Sequence, residues 1–69
     1  MIEFELAEHD YIELHSLLKV TGLCDSGGVA KLLIAEGLVH VDGEVETRKR
    51  CKIRSGQIVT FNDRQISVI

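Results

Sequence analysis

The chain has 69 residues, of which 45% are apolar and 28% charged, and its formal net charge is −3. This length has room for one hydrophobic core, so we expect a single domain that covers residues 1–69 and folds as a unit. The apolar stretches are far shorter than the roughly 20 residues that a membrane span needs, and the acidic start differs from the basic opening of a signal peptide. We therefore expect a cytoplasmic protein that has no contact with a membrane.

The residues that most often carry chemistry are few and scattered. Cys24 and Cys51 show no Cys-x-x-Cys spacing, and the three histidines show no His-x-x-x-His spacing, so we expect reduced thiols and no metal site. His9 and His15 lie near acidic residues, but solvated histidines beside a helix start are more common than an acid–base cluster. We find no set of nucleophile, base and carboxylate. The sequence predicts a non-catalytic protein without a cofactor.

The first part of the chain predicts a strand followed by a helix. Ile2, Phe4 and Leu6 alternate with glutamates, which is typical of a strand with one buried face. Asp10 and Glu13 resemble a capping box, and the apolar residues that follow at helical spacing predict a first helix from about Tyr11 to Thr21, with Gly22 as its stop. The residues of its apolar face are Tyr11, Leu14, Leu17 and Leu18.

A second helix is predicted to start at Asp25 or Ser26 and to end at Gly37. Val29, Leu32 and Leu33 share one side of this helix with Glu36. Lys31 and Ala35 lie on another side.

The remainder of the chain predicts strands. Val39, Val41 and Val45 surround Asp42-Gly43, a strong signal for a two-residue hairpin. Turns at 55–56 and 62–63 separate further apolar stretches. Helices followed by strands indicate an α+β fold, in which two short helices pack on one face of a small, mainly antiparallel sheet. The first strand is expected to pair with a later one.

The charges are segregated along the chain. Residues 1–13 carry five acidic residues and no Lys or Arg, whereas residues 47–64 carry six basic residues against one acidic residue. Such asymmetry points to a nucleic-acid surface, although a solvated charged face is the commoner cause of a local charge run.

The start of the second helix is one candidate RNA contact. A helix that begins at Ser26 leaves several backbone N–H groups pointing outward, and Gly27 and Gly28 remove side chains that would keep a phosphate away. Lys31 adds a cation one turn later. The alternative is that the glycines only relax a tight turn between the helices.

A basic run is the other candidate contact. It comprises Arg48, Lys49, Arg50 and Lys52, with Arg54 beyond them. In an extended segment Arg48, Arg50, Lys52 and Arg54 would face the same way at about 6 to 7 Å spacing, which suits successive phosphates. Aromatic residues are too few to predict base stacking. We therefore expect recognition of phosphates and RNA shape.

The motifs taken together resemble a known family. The segment 26–43, with Ser26 at a helix start and the Val39-His40-Val41-Asp42-Gly43 hairpin, is similar to the core of the RNA-binding domain of ribosomal protein S4, the alpha-L motif. Residues 52–59 resemble its closing element. The family usually has arginine directly after the serine, where this chain has Gly27, and this shifts the expected RNA contact toward Lys31 and backbone amides.

The resemblance implies a fold and a function. It implies an alpha-L motif with an added N-terminal strand, most like the stand-alone bacterial members of the family, and non-catalytic binding of structured RNA, with ribosomal or transfer RNA as the expected class. Ribosome association and a monomeric state are expected with it. Two alternatives remain open: a protein-interaction module that docks a partner on the first strand or sheet edge, and an accessory subunit that lends RNA affinity to a larger assembly.

Overall fold

The computed structural model describes all 69 residues. There are two helices and seven short strands. In chain order they are β1 (Ile2–Phe4), β2 (Ile12–Glu13), α1 (Leu14–Val20), α2 (Gly27–Ala35), β3 (Val39–Val41), β4 (Glu44–Val45), β5 (Lys52–Ile53), β6 (Ile58–Phe61) and β7 (Arg64–Val68). Neither helix is long and apolar enough to cross a membrane.

The strands form two sheets. Five of them make one sheet in the order β1-β7-β6-β3-β4, and β2 and β5 make a separate two-stranded sheet. Only the β1–β7 pair is parallel, and it joins Ile2 to Ile66 and Phe4 to Val68. The predicted α+β fold, the mainly antiparallel sheet and the pairing of the first strand with a later one are confirmed.

The core lies between the two helices and the sheet. Leu14, Leu17 and Leu18 of α1 are fully buried, which confirms that part of the predicted apolar face. The sheet contributes Val39, Val59, Ile66 and Val68, and Ile53 of β5 joins the same cluster. Because the alternating residues of three neighbouring strands all reach this cluster, the register of the sheet is fixed by burial.

The β3–β4 hairpin forms as predicted. Asp42 and Gly43 have φ values of 52° and 86°, and a two-residue turn of this kind requires a positive φ at both positions. The side chain of Asp42 also anchors the turn to β6, because Oδ1 accepts a hydrogen bond of 2.9 Å from the backbone N–H of Ile58.

The predicted start of the first helix is wrong. Helix α1 begins at Leu14, its N-cap Glu13 makes no side-chain capping bond, and Tyr11 and Ile12 lie outside the helix. The backbone N–H groups of Leu14 and His15 donate instead to the carbonyls of Cys51 and Lys49, at 2.9 and 3.1 Å. Long-range partners therefore replace the local capping box, and the preceding residues extend to pair with β5.

The second helix has the predicted bounds, and its buried face is formed by Ala30 and Ile34. Ser26 is its N-cap, with Oγ accepting from the N–H of Val29 at 3.2 Å, and Gly37 follows its end with a φ of 78°. The fully buried residues are Ala30 and Ile34, whereas Val29 and Leu32 are 44% and 60% exposed. A helix packed through Ala30 approaches its neighbour closely, and this rotates the larger residues toward solvent.

Replacing Ile34 and Leu32 in turn tests this orientation. Ile34→Ala is expected to lower the free energy of unfolding by about 2–5 kcal/mol, because it removes a buried side chain and leaves a cavity. Leu32→Ala, on the same helix, should change it by no more than about 0.5 kcal/mol. Urea denaturation followed by circular dichroism measures both. If Ile34→Ala does not fold, Ile34→Val should still cost about 0.5–1.5 kcal/mol. A larger loss for Leu32→Ala than for either Ile34 variant would contradict the assigned face.

Candidate nucleic-acid interface

The start of α2 is open to solvent. Ser26 and Gly28 are exposed and Gly27 is half-buried. A Cβ added at either glycine would meet only atoms 3.9 Å away, and neither glycine has a positive φ, so packing and backbone conformation do not require glycine at these positions. Their effect is to leave the first-turn N–H groups of the helix without covering side chains, which suits the approach of an anion.

Lys31 completes this part of the surface, which we call the helix-start patch (Ser26, Gly27, Gly28 and Lys31). Its side chain is partly exposed and makes no hydrogen bond or ion pair within the chain. Lys31 lies on the helix next to buried Ala30. Because Lys31 has no partner within the chain, its ammonium group is free to bind an anion.

The basic run folds differently from the prediction. Residues 48–51 form a turn, closed by a hydrogen bond of 3.1 Å from the N–H of Cys51 to the carbonyl of Arg48, and only Lys52 and Ile53 are in a strand. The predicted common direction of four basic side chains along one extended segment is therefore wrong. We call Arg48, Lys49, Arg50 and Lys52 the basic loop; all four are exposed, and Arg48, Arg50 and Lys52 line one open depression together with Cys51.

Arg48 differs from the other cations because Glu46 already holds it. Its Nε and Nη2 donate to the two carboxylate oxygens at 2.9 and 3.0 Å, and its backbone N–H donates to Oε2 at 2.9 Å. These bonds from Arg48 lower the pKa of Glu46 to about 2. A phosphate would have to compete with this carboxylate for Arg48, whereas Lys49 and Arg50 have no such partner in the chain.

His15 lies between the two patches. Its backbone N–H donates to the carbonyl of Lys49, and its Nδ1 would be 3.9 Å from a Cβ placed on Gly27. Its Nε2 is 2.8 Å from a carboxylate oxygen of Glu13. The helix-start patch and the basic loop, which are at least 17 residues apart in sequence, therefore meet around His15. In the sequence, His15 is notable only for the acidic residues near it. Its position between the two patches depends on long-range backbone hydrogen bonds, which the sequence does not indicate.

The thiols are not arranged for chemistry. Cys24 is buried in the link between α1 and α2, and Cys51 is partly buried just before β5; both are free. Burial raises the pKa of each thiol, and for Cys24 the nearby Asp25 adds to the effect. Both are therefore neutral at physiological pH and poor nucleophiles. No group of three or more His, Cys, Asp or Glu side chains comes together to hold a metal ion.

Comparison with known proteins identifies the family. The model of the S4 domain matches residues 4–69, and the chain belongs to the S4 domain family. It is 52% identical over 69 residues to YbcJ of Escherichia coli strain K12, which is named as a provisional RNA-binding protein, with all of this chain and 99% of that protein covered. A protein of Shigella flexneri with the same name, there called uncharacterized, matches to the same extent.

A solved structure shows the same fold. The solution structure of YbcJ from E. coli, described as revealing an alpha-L motif involved in RNA binding, superimposes with a TM-score of 0.78. The match covers 100% of this chain and 87% of that one, at 52% identity. The alpha-L fold expected from the sequence is therefore confirmed.

The Glu46–Arg48 pair has a pH dependence that can be measured. With its pKa lowered to about 2, below the roughly 4.3 of an unfolded chain, Glu46 contributes stability that is fully present above about pH 4.3 and is lost as the pH falls through about 2. A carbon-13 NMR titration of the Glu46 carboxyl should give a midpoint near 2 in the native protein and a higher one in Arg48→Ala. A titration midpoint near the roughly 4.3 of an unfolded chain would contradict the Glu46–Arg48 pairing.

Proposed function

We propose that this protein binds structured RNA without catalysing a reaction on it, and that the helix-start patch and the basic loop form one phosphate-contacting surface. The observation that carries the proposal is the meeting of the two patches around His15. Membership of the S4 domain family and the RNA-binding descriptions of the YbcJ proteins support it. Ribosomal or transfer RNA is the class of ligand that we propose.

The two patches offer complementary kinds of contact. The helix start supplies backbone N–H groups in fixed positions, which orient a bound phosphate. The basic loop and Lys31 supply flexible cations, which attract the backbone of RNA over a longer range. Contacts to phosphates position a protein on RNA without reading its sequence, so the preference of this surface is for the shape of folded RNA.

The segregation of charge reconciles this function with the acidic net charge of −3. The acidic residues Glu3, Glu5, Glu8 and Asp10 are all exposed in the segment that contains β1 and precedes β2. Interactions between exposed charges weaken beyond about 8 to 10 Å at physiological salt. The charges nearest the bound RNA therefore matter more for binding than the net charge of the whole chain.

The salt dependence of binding tests the proposal. With four or five phosphates neutralised, the logarithm of the binding constant for unfractionated transfer RNA should fall against the logarithm of salt with a slope of roughly −3 to −4.5. Arg50→Ala should make this slope shallower by about 0.7–0.9. Arg48→Ala should change it less, because a phosphate that binds Arg48 must displace Glu46. A filter-binding titration from about 50 to 200 mM salt measures these slopes.

Charge reversal with a matched control completes this test. Lys31→Glu should weaken RNA binding and leave thermal stability nearly unchanged, since Lys31 makes no ion pair. Arg64→Glu changes the net charge equally but lies in β7, outside both patches, so it should weaken binding much less. Equal losses in the two variants, or a native slope near zero, would refute the proposed surface.

A second candidate function is the docking of a protein partner on β1. This strand is at the edge of the five-stranded sheet, so one side of its backbone has no strand neighbour, and an extended segment of a partner could add there. The accessory-subunit function combines this contact with RNA binding. If the salt dependence is absent while the protein remains folded, the protein-interaction module becomes the better explanation.

A further inference from the structure

The environment of Tyr11 is unlike that of the other aromatic residues. Phe4 and Phe61 are partly buried and pack against the core, whereas Tyr11 is 38% exposed. It directly precedes β2, and in the register of the β2–β5 pair, which joins Glu13 to Lys52 and Ile12 to Ile53, the next position across from Tyr11 is that of Arg54. The small second sheet therefore holds an exposed ring at the margin of the basic loop.

Two cations lie over the ring. Lys52 Nζ is 5.0 Å and the Arg54 guanidinium carbon 5.7 Å from the ring centroid. Both side chains are exposed and neither forms an ion pair. A cation–π contact at an exposed site is weak, so these groups can move from the ring to a stronger anionic partner without a large loss.

The ring also borders an apolar groove. Tyr11 lines a groove of about 280 Å³ with Phe4, Leu6, His9 and Ile12. Tyr11 thus lies between an apolar surface and a pair of mobile cations. A nucleotide would fit this arrangement. The largely apolar face of its base suits the ring and the apolar groove, and its anionic phosphate suits the two cations. The exposed Glu8 and Asp10 flank His9, so a phosphate is favoured only on the side of Lys52 and Arg54.

From this arrangement we infer that Tyr11 is a stacking contact for an unpaired RNA base, and that Lys52 and Arg54 leave the ring to bind the phosphates beside that base. The inference rests on the proposed function and extends it, because phosphate contacts alone would not distinguish an unpaired loop from a continuous duplex. Stacking of a base on an aromatic side chain is at least comparable to the two exposed cation–π contacts that are lost, and the released cations gain phosphate contacts, so the exchange is favourable. The protein would then prefer folded RNA with an accessible unpaired base.

Tyr11 is the only tyrosine, and the chain has no tryptophan, so intrinsic fluorescence reports on this ring alone. The experiment measures the fluorescence lifetime of Tyr11, which unlike intensity is not distorted by absorption from RNA. One probe is an RNA stem-loop with an unpaired loop, and the other is a fully paired RNA duplex with the same number of phosphates. We expect the stem-loop to shorten the lifetime and the duplex to leave it nearly unchanged.

Binding by variants gives a second measurement. Tyr11→Leu should bind the stem-loop about fivefold or more weakly than the native protein, and should bind the duplex equally well. Tyr11→Phe, which keeps the ring, should bind both probes as the native protein does. Thermal melting establishes that each variant is folded, and the native lifetime alone remains decisive if Tyr11→Leu does not fold.

The outcomes separate this inference from the proposed function. If the native protein binds the stem-loop with the expected salt dependence, but the Tyr11 lifetime does not change and Tyr11→Leu binds normally, the stacking contact is refuted and the phosphate surface stands. An equal loss on stem-loop and duplex would also refute it, because the ring would then act only by placing the two cations. Failure of the native protein to bind either RNA would overturn both proposals.

Discussion

Two backbone hydrogen bonds at the start of α1 determine how the candidate surface is assembled. The N–H groups of Leu14 and His15 donate to the carbonyls of Cys51 and Lys49, which satisfies donors that a helix start cannot bond within itself. The same bonds hold the turn of the basic loop against α1. Since α1 packs on α2, the exposed start of α2 comes to lie beside that turn, with His15 between them. The fold thus builds the surface from backbone contacts, and Lys31, Lys49 and Arg50 keep side chains without an ion-pair partner.

The sequence predicts those elements whose signals are local. The Asp42-Gly43 hairpin and the second helix, from its Ser26 cap to Gly37, depend on turn and capping chemistry within a few residues, and the structure has them where expected. The start of α1 is different, because Asp10 and Glu13 resemble a cap but the first N–H groups of the helix donate to carbonyls 37 and 34 residues away in sequence. Local pattern cannot indicate a partner that only the tertiary fold brings near.

The same distinction explains the errors in the candidate site. The common direction of Arg48, Arg50, Lys52 and Arg54 required an extended backbone, and the turn closed by Cys51 removes it. The sequence also gives no indication of which side of α2 is buried, and the chain buries Ala30 and Ile34 while Val29 and Leu32 are exposed. The position of Tyr11 follows from the later start of α1 and the pairing of β2 with β5. Tyr11 lies outside the helix and opposite Arg54, so its ring is exposed among cations and not buried on a helical face.

The cationic side chains of the surface differ in how strongly other groups of the protein bind them. Arg48 is held by Glu46 at both carboxylate oxygens, Lys52 and Arg54 lie over an aromatic ring, and Lys31, Lys49 and Arg50 have no ion-pair partner. The free cations need not break an existing contact when they bind a phosphate, so they suit the first attraction of RNA. The held cations sit at defined places, so they suit the orientation of RNA once it is bound.

A map of the backbone amides perturbed by RNA tests most directly whether the two patches act as one surface. The full chain labelled with nitrogen-15 is titrated with an RNA stem-loop at low salt, and the amide shifts are followed by NMR. The account predicts that residues 26–31 and 48–52 shift together, along one binding curve, and that residues 62–65, around the turn between β6 and β7, do not move. Perturbation of only one patch, or of the β1 edge in place of both, would contradict it.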